Sequence, residues 1–311
     1  MIDQFVWVEK YRPKSVSDVV LPEKIKEKLQ RFVDDRNLPN LIFSGTSGCG
    51  KTTVARAMLE ELGCDYIVIN GSMEGNIDTL RVKIKEFASS VSLTGGRKYV
   101  ILDEADYLNP NSTQPALRNF MEEYSKNCGF ILTCNYINRI LEPLRSRCSL
   151  VDFKIANEDK QDIIVQFFKI AKSILEKENV EYEQKTVALV MEKHFPDFRK
   201  TLNELQFYSS TGVLKEDAVS SSSESYKTLF GYLKSKNFTE VRKWVTENND
   251  IHPETLFDTI YGMSDAYIEN ASIPQLVLIL ADYQYKQAFA ANLEINIVAC
   301  LTEIMAGCVF K

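Results

Sequence analysis

Gly45-Thr46-Ser47-Gly48-Cys49-Gly50-Lys51-Thr52 satisfies every fixed position of the pattern Gly-x-x-x-x-Gly-Lys-Ser/Thr. Upstream, Leu41-Ile42-Phe43-Ser44 is a short apolar run suited to a buried strand. Downstream, Thr53 to Leu62 carries helix formers and no breaker. The order is therefore strand, glycine-rich turn, helix. Glycines admit positive φ, so successive N–H groups converge on phosphate oxygens at a helix N-terminus, where the dipole favours anions. The stretch Gly45, Gly48, Cys49, Gly50, Lys51, Thr52 and Thr53 is expected to hold a nucleoside triphosphate. Lys51 reaches the β and γ phosphates and the Thr52 hydroxyl serves Mg²⁺.

The second signal is Tyr99-Val100-Ile101-Leu102-Asp103-Glu104-Ala105-Asp106, an apolar strand ending in carboxylates 52 residues beyond Lys51. At the end of a strand beside a P-loop, Asp103 can hold Mg²⁺ through water while Glu104 orients and activates the attacking water. The blander account is an acidic helix cap. Asp-Glu-Ala-Asp also occurs in a helicase family, but such a helicase needs a second α/β half and the helical remainder offers none. Asn135 closes the apolar run Gly129 to Cys134, where its amide can meet a γ-phosphate or the lytic water, although a lone Asn there is often a turn residue. Pro143-Leu144-Arg145-Ser146-Arg147-Cys148 brings two arginines to a domain edge, one of which can serve a neighbour's nucleotide. Phe195-Pro196-Asp197-Phe198-Arg199-Lys200 opens a helix from which Arg199 can reach back to phosphate.

Around these motifs the strand candidates are Leu41 to Ser44, Tyr66 to Asn70, Tyr99 to Asp103, Gly129 to Asn135 and Leu150 to Phe153. They are apolar on both faces, as strands in a sheet covered on each side should be. From Asn157 to Gly212 the pattern reads as wholly helical. Ser220 to Ser223, followed by Glu224 and Ser225, reads as a solvated linker or turn, and residues 226–311 are again helical. The expected division is 1–152, 153–222 and 223–311. In the last part Leu276, Val277, Leu278, Ile279, Leu280, Ile295, Ile297, Val298, Leu301 and Ile304 should mostly fill a bundle core.

The 311 residues carry a net charge of −6 and 45% hydrophobic residues, enough for two or three ordinary cores. No stretch approaches a membrane span, and the first residues lack the features of a signal peptide. Seven cysteines without a Cys-x-x-Cys pair argue against a disulfide framework and point to the reducing cytoplasm. The acidic balance does not exclude nucleic acid, because a local basic strip suffices. Ile77, Leu80, Ile84 and Phe87 recur at helical spacing with Arg81 and Lys85 beside them, one turn apart. His194 and His252, 58 residues apart, make no plausible metal pair and read as structural.

Taken in order, these motifs resemble the AAA+ clamp-loader ATPases. Trp7-Val8-Glu9-Lys10-Tyr11-Arg12-Pro13 is similar to the family's adenine-side motif, Asp103-Glu104-Ala105-Asp106 to its Walker B, and Asn135 to its sensor 1. Ser146-Arg147-Cys148 is similar to its arginine-finger signature, and Arg199 to sensor 2. The resemblance runs from about residue 5 to 210 and is nearest the replication factor C and T4-like bacteriophage branches. Phe120-Met121-Glu122 and the run Phe195 to Thr201 point to the phage one. The four-cysteine zinc site of bacterial relatives is missing.

The resemblance implies an AAA+ parallel-sheet α/β domain followed by a helical lid and a helical collar. It implies ATP and Mg²⁺ as cofactors, with Val8, Glu9, Lys10, Tyr11 and Val20 on the adenine. Lys51, Asp103, Glu104, Asn135 and Arg199 act in cis, and Arg147 acts in trans on the next subunit's ATP. It also implies DNA contact by Arg81 and Lys85, with Gln114 and Arg118 in a family element linking the DNA-facing surface to the ATP site; Lys83 and Lys98 are weaker candidates. Partners would be other copies of the chain, a divergent subunit, a sliding clamp and primer-template DNA, with no membrane, in the cytoplasm of an infected bacterial host. Two rival readings remain: another AAA+ motor, such as a branch-migration translocase or helicase loader, and a non-hydrolysing scaffold switched by ATP. Pro115 is tolerated only in a first helical turn, so the helix after the carboxylates should begin close to it.

Overall fold

The computed structural model describes residues 5–92, 96–211, 213–214, 216–248 and 253–311; His252 lies outside them. The chain forms two compact units, Met1–Glu216 and Asp217–Lys311.

In the first unit, five parallel strands lie in the order β2-β3-β4-β1-β5: β1 Leu41–Ser44, β2 Tyr66–Asn70, β3 Lys98–Asp103, β4 Cys128–Cys134 and β5 Ser149–Asp152. The β1, β3 and β4 runs are almost wholly buried, as their unbroken apolar sequence requires. The edge strands depart from that expectation. β5 buries only Val151 and leaves Leu150 half exposed, and β2 fully buries only Ile69. Phe43 and Phe130, both fully buried, pack on either side of the sheet. Burying such a side chain contributes about 1.5–3 kcal/mol.

Six helices accompany the sheet: α1 Trp7–Lys10, α2 Glu23–Asp34, α3 Lys51–Leu62, α4 Ile77–Ser89, α5 Thr113–Glu123 and α6 Glu142–Arg145. Asn76 caps α4 by accepting from the Asp78 N–H at 3.0 Å. Pro115 falls in the first turn of α5, where its missing N–H is harmless. Parallel connections place the turns after β1, β3 and β4, three adjacent strands, along one carboxyl edge, and ligands of open α/β sheets bind along such an edge.

Beyond the sheet come α7 Lys160–Lys177, β6 Glu181–Tyr182, α8 Gln184–His194, α9 Phe198–Tyr208 and β7 Val213–Leu214. The wholly helical expectation needs correction here, because β6 and β7 pair in parallel. Two residues are too short to leave a period in the sequence. His194 and Lys193 both bind the Glu204 carboxylate, tying α8 to α9, the structural role expected of that histidine.

The second unit holds α10 Glu216–Lys234 apart from its first residue, then α11 Phe238–Glu247, α12 Pro253–Tyr267, α13 Ile273–Gln287 and α14 Leu293–Gly307. Ser220 to Ser225, expected as a linker, lie within α10. Serine is only mildly unfavourable in a helix, and the run contains no breaker. Leu276, Ile279, Leu280, Ile297, Leu301 and Ile304 enter the bundle core with Phe230, Phe257 and Ile260. Val277, Leu278 and Ile295 face outward instead, at 41%, 67% and 67% exposure.

All seven cysteines are free, with only Cys64 and Cys148 short of full burial. Burial pushes the Cys128 and Cys134 thiols up to about 11 and those of Cys148 and Cys300 up to about 12. It raises Cys49, Cys64 and Cys308 as well. No described helix is long and apolar enough to cross a membrane.

Candidate active site

The turn after β1 takes positive φ at Gly48 (73°) and Gly50 (93°), a region that L side chains rarely adopt, and Gly50 then starts α3. Gly48 is doubly constrained. Its carbonyl accepts from the Phe198 N–H at 3.2 Å, and a Cβ there would overlap the Asp197 carboxylate. The first residue of α9 is thereby fastened to the phosphate loop, while Asp197 caps that helix through the Lys200 N–H at 2.9 Å.

Lys51 is buried, and its Nζ donates to Gly45 O at 2.9 Å, Thr46 O at 2.7 Å and Asn135 Oδ1 at 2.9 Å. The Thr52 hydroxyl donates to Asp103 Oδ1 at 2.6 Å, and Thr133 Oγ1 donates to the same oxygen at 2.6 Å. Thr133 Oγ1 accepts in turn from the Glu104 N–H at 3.1 Å. Glu104 sits at φ 54°, a left-handed conformation that costs of order 1–3 kcal/mol outside glycine and recurs at functional sites. Gly71, just past β2, makes room for it: a Cβ there would stand 2.6 Å from the Glu104 carbonyl oxygen. Gly71 N–H also donates to Asp103 O at 2.7 Å, so three strand ends are cross-tied around the carboxylates.

One cavity collects most of the expected residues. Val8, Tyr11 and Val20 line it together with Pro13, Phe167 and Phe198, an apolar wall suited to a planar base. The Phe167 and Phe198 rings lie 4.6 Å apart. Gly48 through Thr53, Asp103, Glu104, Asn135 and Arg199 also line the cavity, while Gly45 lies beside it and serves through its carbonyl. Thr52 and Asp103 put two hard oxygens side by side, the donor chemistry Mg²⁺ requires, and among the described residues no group of three or more His, Cys, Asp or Glu forms another metal cluster.

Two residues expected on the adenine stand elsewhere. Glu9 pairs with Arg12, and Lys10 donates to Glu178 Oε1 at 2.7 Å; neither lines the cavity. The motif contributes its neighbours instead: in the short α1, adjacent residues cannot share a face. Arg147 lies outside the cavity of its own chain. Its guanidinium donates to Pro143 O at 2.7 Å and, through Nε, to Glu122 Oε1 at 2.9 Å; the hydrogen bond to Glu122 and the Arg147 charge hold that carboxyl below its ordinary range. Gln114, expected at a DNA-facing element, is buried. Its amide donates to Leu108 O at 3.1 Å and Arg139 O at 2.9 Å, and its oxygen accepts from the Leu141 N–H at 2.8 Å. It ties the Asn135–Leu141 loop to α5 and offers no contact surface, whereas Arg118 one turn on is exposed.

Arg81 and Lys85 are exposed on α4, opposite the buried Leu80, Ile84 and Ala88, with Arg81 3.5 Å from Asp78. Of the weaker candidates, Lys83 pairs with Glu74 at 2.5 Å. Lys98 is buried and donates to Phe87 O at 2.5 Å and to Ser90, closing the C-terminal end of α4. Sequence reasoning did not single out Gly71, Thr133, Glu178 or Asp197. Glu178 accepts from the Tyr11 hydroxyl at 2.6 Å and so fixes a cavity wall from 167 residues away, a pairing no local pattern signals. Asp197 carried a readable signal, an N-cap residue directly before a helix.

The profile of the ATPase family associated with various cellular activities (AAA) matches residues 41–158. The profile of the AAA+ ATPase lid domain of the sliding-clamp-loader large subunit matches residues 159–220. The replication factor C small subunit of Sulfurisphaera tokodaii is 36% identical, over 97% of this chain and 95% of that protein. The sliding-clamp-loader large subunit of Escherichia phage RB69 is 32% identical, over 97% and 96%. A solved RuvB variant from Thermotoga maritima shares the fold, with a TM-score of 0.54 at 18% identity over 81% of this chain and 79% of its own.

Proposed function

The chain belongs to the AAA+ clamp-loader ATPases, and from that premise we propose that its cavity binds ATP with Mg²⁺ and fires only when a neighbouring subunit completes it. It is an ATPase subunit of a sliding-clamp loader. ATP binding favours the state that opens and grips a processivity clamp, and primer-template DNA triggers hydrolysis and release. Bound Mg²⁺, held by Thr52 and Asp103, would neutralise charge on the β and γ phosphates. Lys51 holds those phosphates, Glu104 orients and deprotonates the attacking water, and Asn135 and Arg199 fix the γ-phosphate end. Val8, Tyr11 and Val20 clasp the base.

The observation that carries this reading is the placement of Arg147, a partly exposed guanidinium outside its own cavity on the segment that leads into β5. Such an arginine is available to another copy's γ-phosphate, where a finger is worth on the order of 10³–10⁵ in rate. Arg81 and Lys85 on α4, with Arg118 on α5, are the DNA-facing cations. Phosphate contacts of this kind select a primer-template junction by shape, without reading sequence. The three-domain division at 152/153 and 222/223 belongs to the same proposal, with the last part as the collar that joins copies and a divergent subunit.

The test is phosphate release by the assembled complex alone, with primed DNA, with clamp, and with both. Turnover should rise most when both are present. Glu104→Gln should bind ATP and stop turning over, and Arg81→Glu should keep ATP binding but lose stimulation by DNA. A lone chain hydrolysing ATP at the full rate would overturn the shared-site reading.

A further inference from the structure

Asp106 ends the run Asp103-Glu104-Ala105-Asp106, and none of the roles assigned above uses it. The residue is 6% exposed and does not line the nucleotide cavity. Desolvating a carboxylate costs several kcal/mol unless strong hydrogen bonds compensate, so its burial needs a local reason. Part of that reason lies just past the end of β4, while the other carboxylate oxygen, Oδ1, has no partner among the described residues. Asp106 Oδ2 accepts from the backbone N–H groups of Asn135 and Tyr136, each at 3.2 Å.

These two amides lie just where the sheet stops. The β3–β4 ladder ends at the pair Leu102–Leu132, and β4 itself ends at Cys134. Past that point the chain turns from strand to loop, and no ladder partner remains on the β3 side. A carboxylate supplied from the short helical turn Ala105–Tyr107 takes the place of that partner and fixes the direction in which the backbone leaves β4. The Asn135 side chain departs from this backbone, and its Oδ1 accepts from Lys51 Nζ at 2.9 Å. A continuous path of bonded atoms therefore runs from Asp106 through the Asn135 amide to the phosphate-binding ammonium.

We propose that Asp106 is a positioning residue for ATP hydrolysis, holding the Asn135 amide at the γ-phosphate end of the cavity by anchoring the Asn135 and Tyr136 N–H groups. This rests on the assignment of Asn135 to the γ-phosphate or the lytic water. Asp106 acts on the chemical step through Asn135 and makes no contact with nucleotide. Its removal should slow turnover while leaving base and phosphate affinity nearly intact, because a small displacement of a positioned group is felt most in the transition state.

The experiment is a mutant cycle on the full-length chain assembled into its complex, reading kcat for phosphate release, Kd for a fluorescent ATP analogue and the thermal midpoint. Asn135→Ala and Asp106→Ala should each lower kcat by about tenfold or more, with Kd shifted less than about threefold. The double variant should be no slower than Asn135→Ala alone, since residues acting as one unit are not additive. Asp106→Asn, which keeps an accepting oxygen, should retain kcat within about threefold of the parent. If the alanine variant loses its melting transition, Asp106→Leu supplies a side chain of sufficient volume without an acceptor and is held to the same expectations.

An impaired Asn135→Ala beside a normal Asp106→Ala overturns the positioning role and leaves the Asn135 assignment standing. Multiplying effects in the double variant, or an asparagine variant as slow as the alanine one, overturn it too. A normal kcat for Asn135→Ala overturns the assignment of Asn135 itself, and the proposal with it.

Discussion

Gly71 shows how much of the catalytic geometry depends on a missing atom. A methyl group there would stand 2.6 Å from Glu104 O and 3.2 Å from Asp103 O, and both are backbone atoms that cannot swing aside. The end of β3 would have to move, taking with it a carboxylate already held at φ 54°. Gly71→Ala should therefore lower kcat by about 10–100-fold and stability by about 1–3 kcal/mol, with ATP affinity changed little. Single-turnover phosphate release beside equilibrium nucleotide binding checks this, and an unaltered rate would remove Gly71 from the argument. The P-loop residues could be read ahead of the structure because phosphate chemistry demands glycines, a lysine and a hydroxyl at set spacing in one continuous segment. Gly71, Thr133 and Glu178 could not, because each acts on a partner 29 or more residues away through a contact that only folding creates.

Among the elements, α9 is the most informative. Its first turn carries Arg199 into the cavity, and its N-terminal end is fastened to Gly48 through the Phe198 N–H and capped by Asp197. Asp197→Ala should cost about 1 kcal/mol of stability as a lost cap and raise KM for ATP by about fivefold as α9 loosens from the phosphate loop. Asp197→Asn, an equally good cap, should restore both. Steady-state kinetics and thermal melts on the two variants decide it: equal KM values for alanine and parent would mean that Arg199 is held by other contacts. The helix periods also show where pattern reading stops. Spacing placed Gln114 and Arg118 together on α5, one turn apart, but could not show that one is buried and the other exposed. Depth depends on what packs above a face, and here the Asn135–Leu141 loop covers Gln114. For α4 the same kind of pattern sufficed, since its apolar stripe and basic residues separate cleanly.

For the whole molecule, the decisive arrangement is that Glu104 lines the cavity of its own chain while Arg147 does not. Chains carrying Glu104→Gln and chains carrying Arg147→Ala should each assemble into inactive particles. Mixed during assembly they should regain activity, because a site combining the Glu104 of one with the Arg147 of the other is complete. With random placement roughly a quarter of junctions qualify. Mixing that restores nothing would place both residues in one chain's chemistry.

The state of the sulfur atoms across the chain has a practical outcome. With every thiol raised above its ordinary value by burial, and five of the seven buried, the native protein offers maleimides little beyond the partly exposed Cys64 and Cys148. A single cysteine engineered onto an open surface would react far ahead of the seven already present, so fluorophores or spin labels that follow the loader through its cycle can be attached without first stripping the chain of its own.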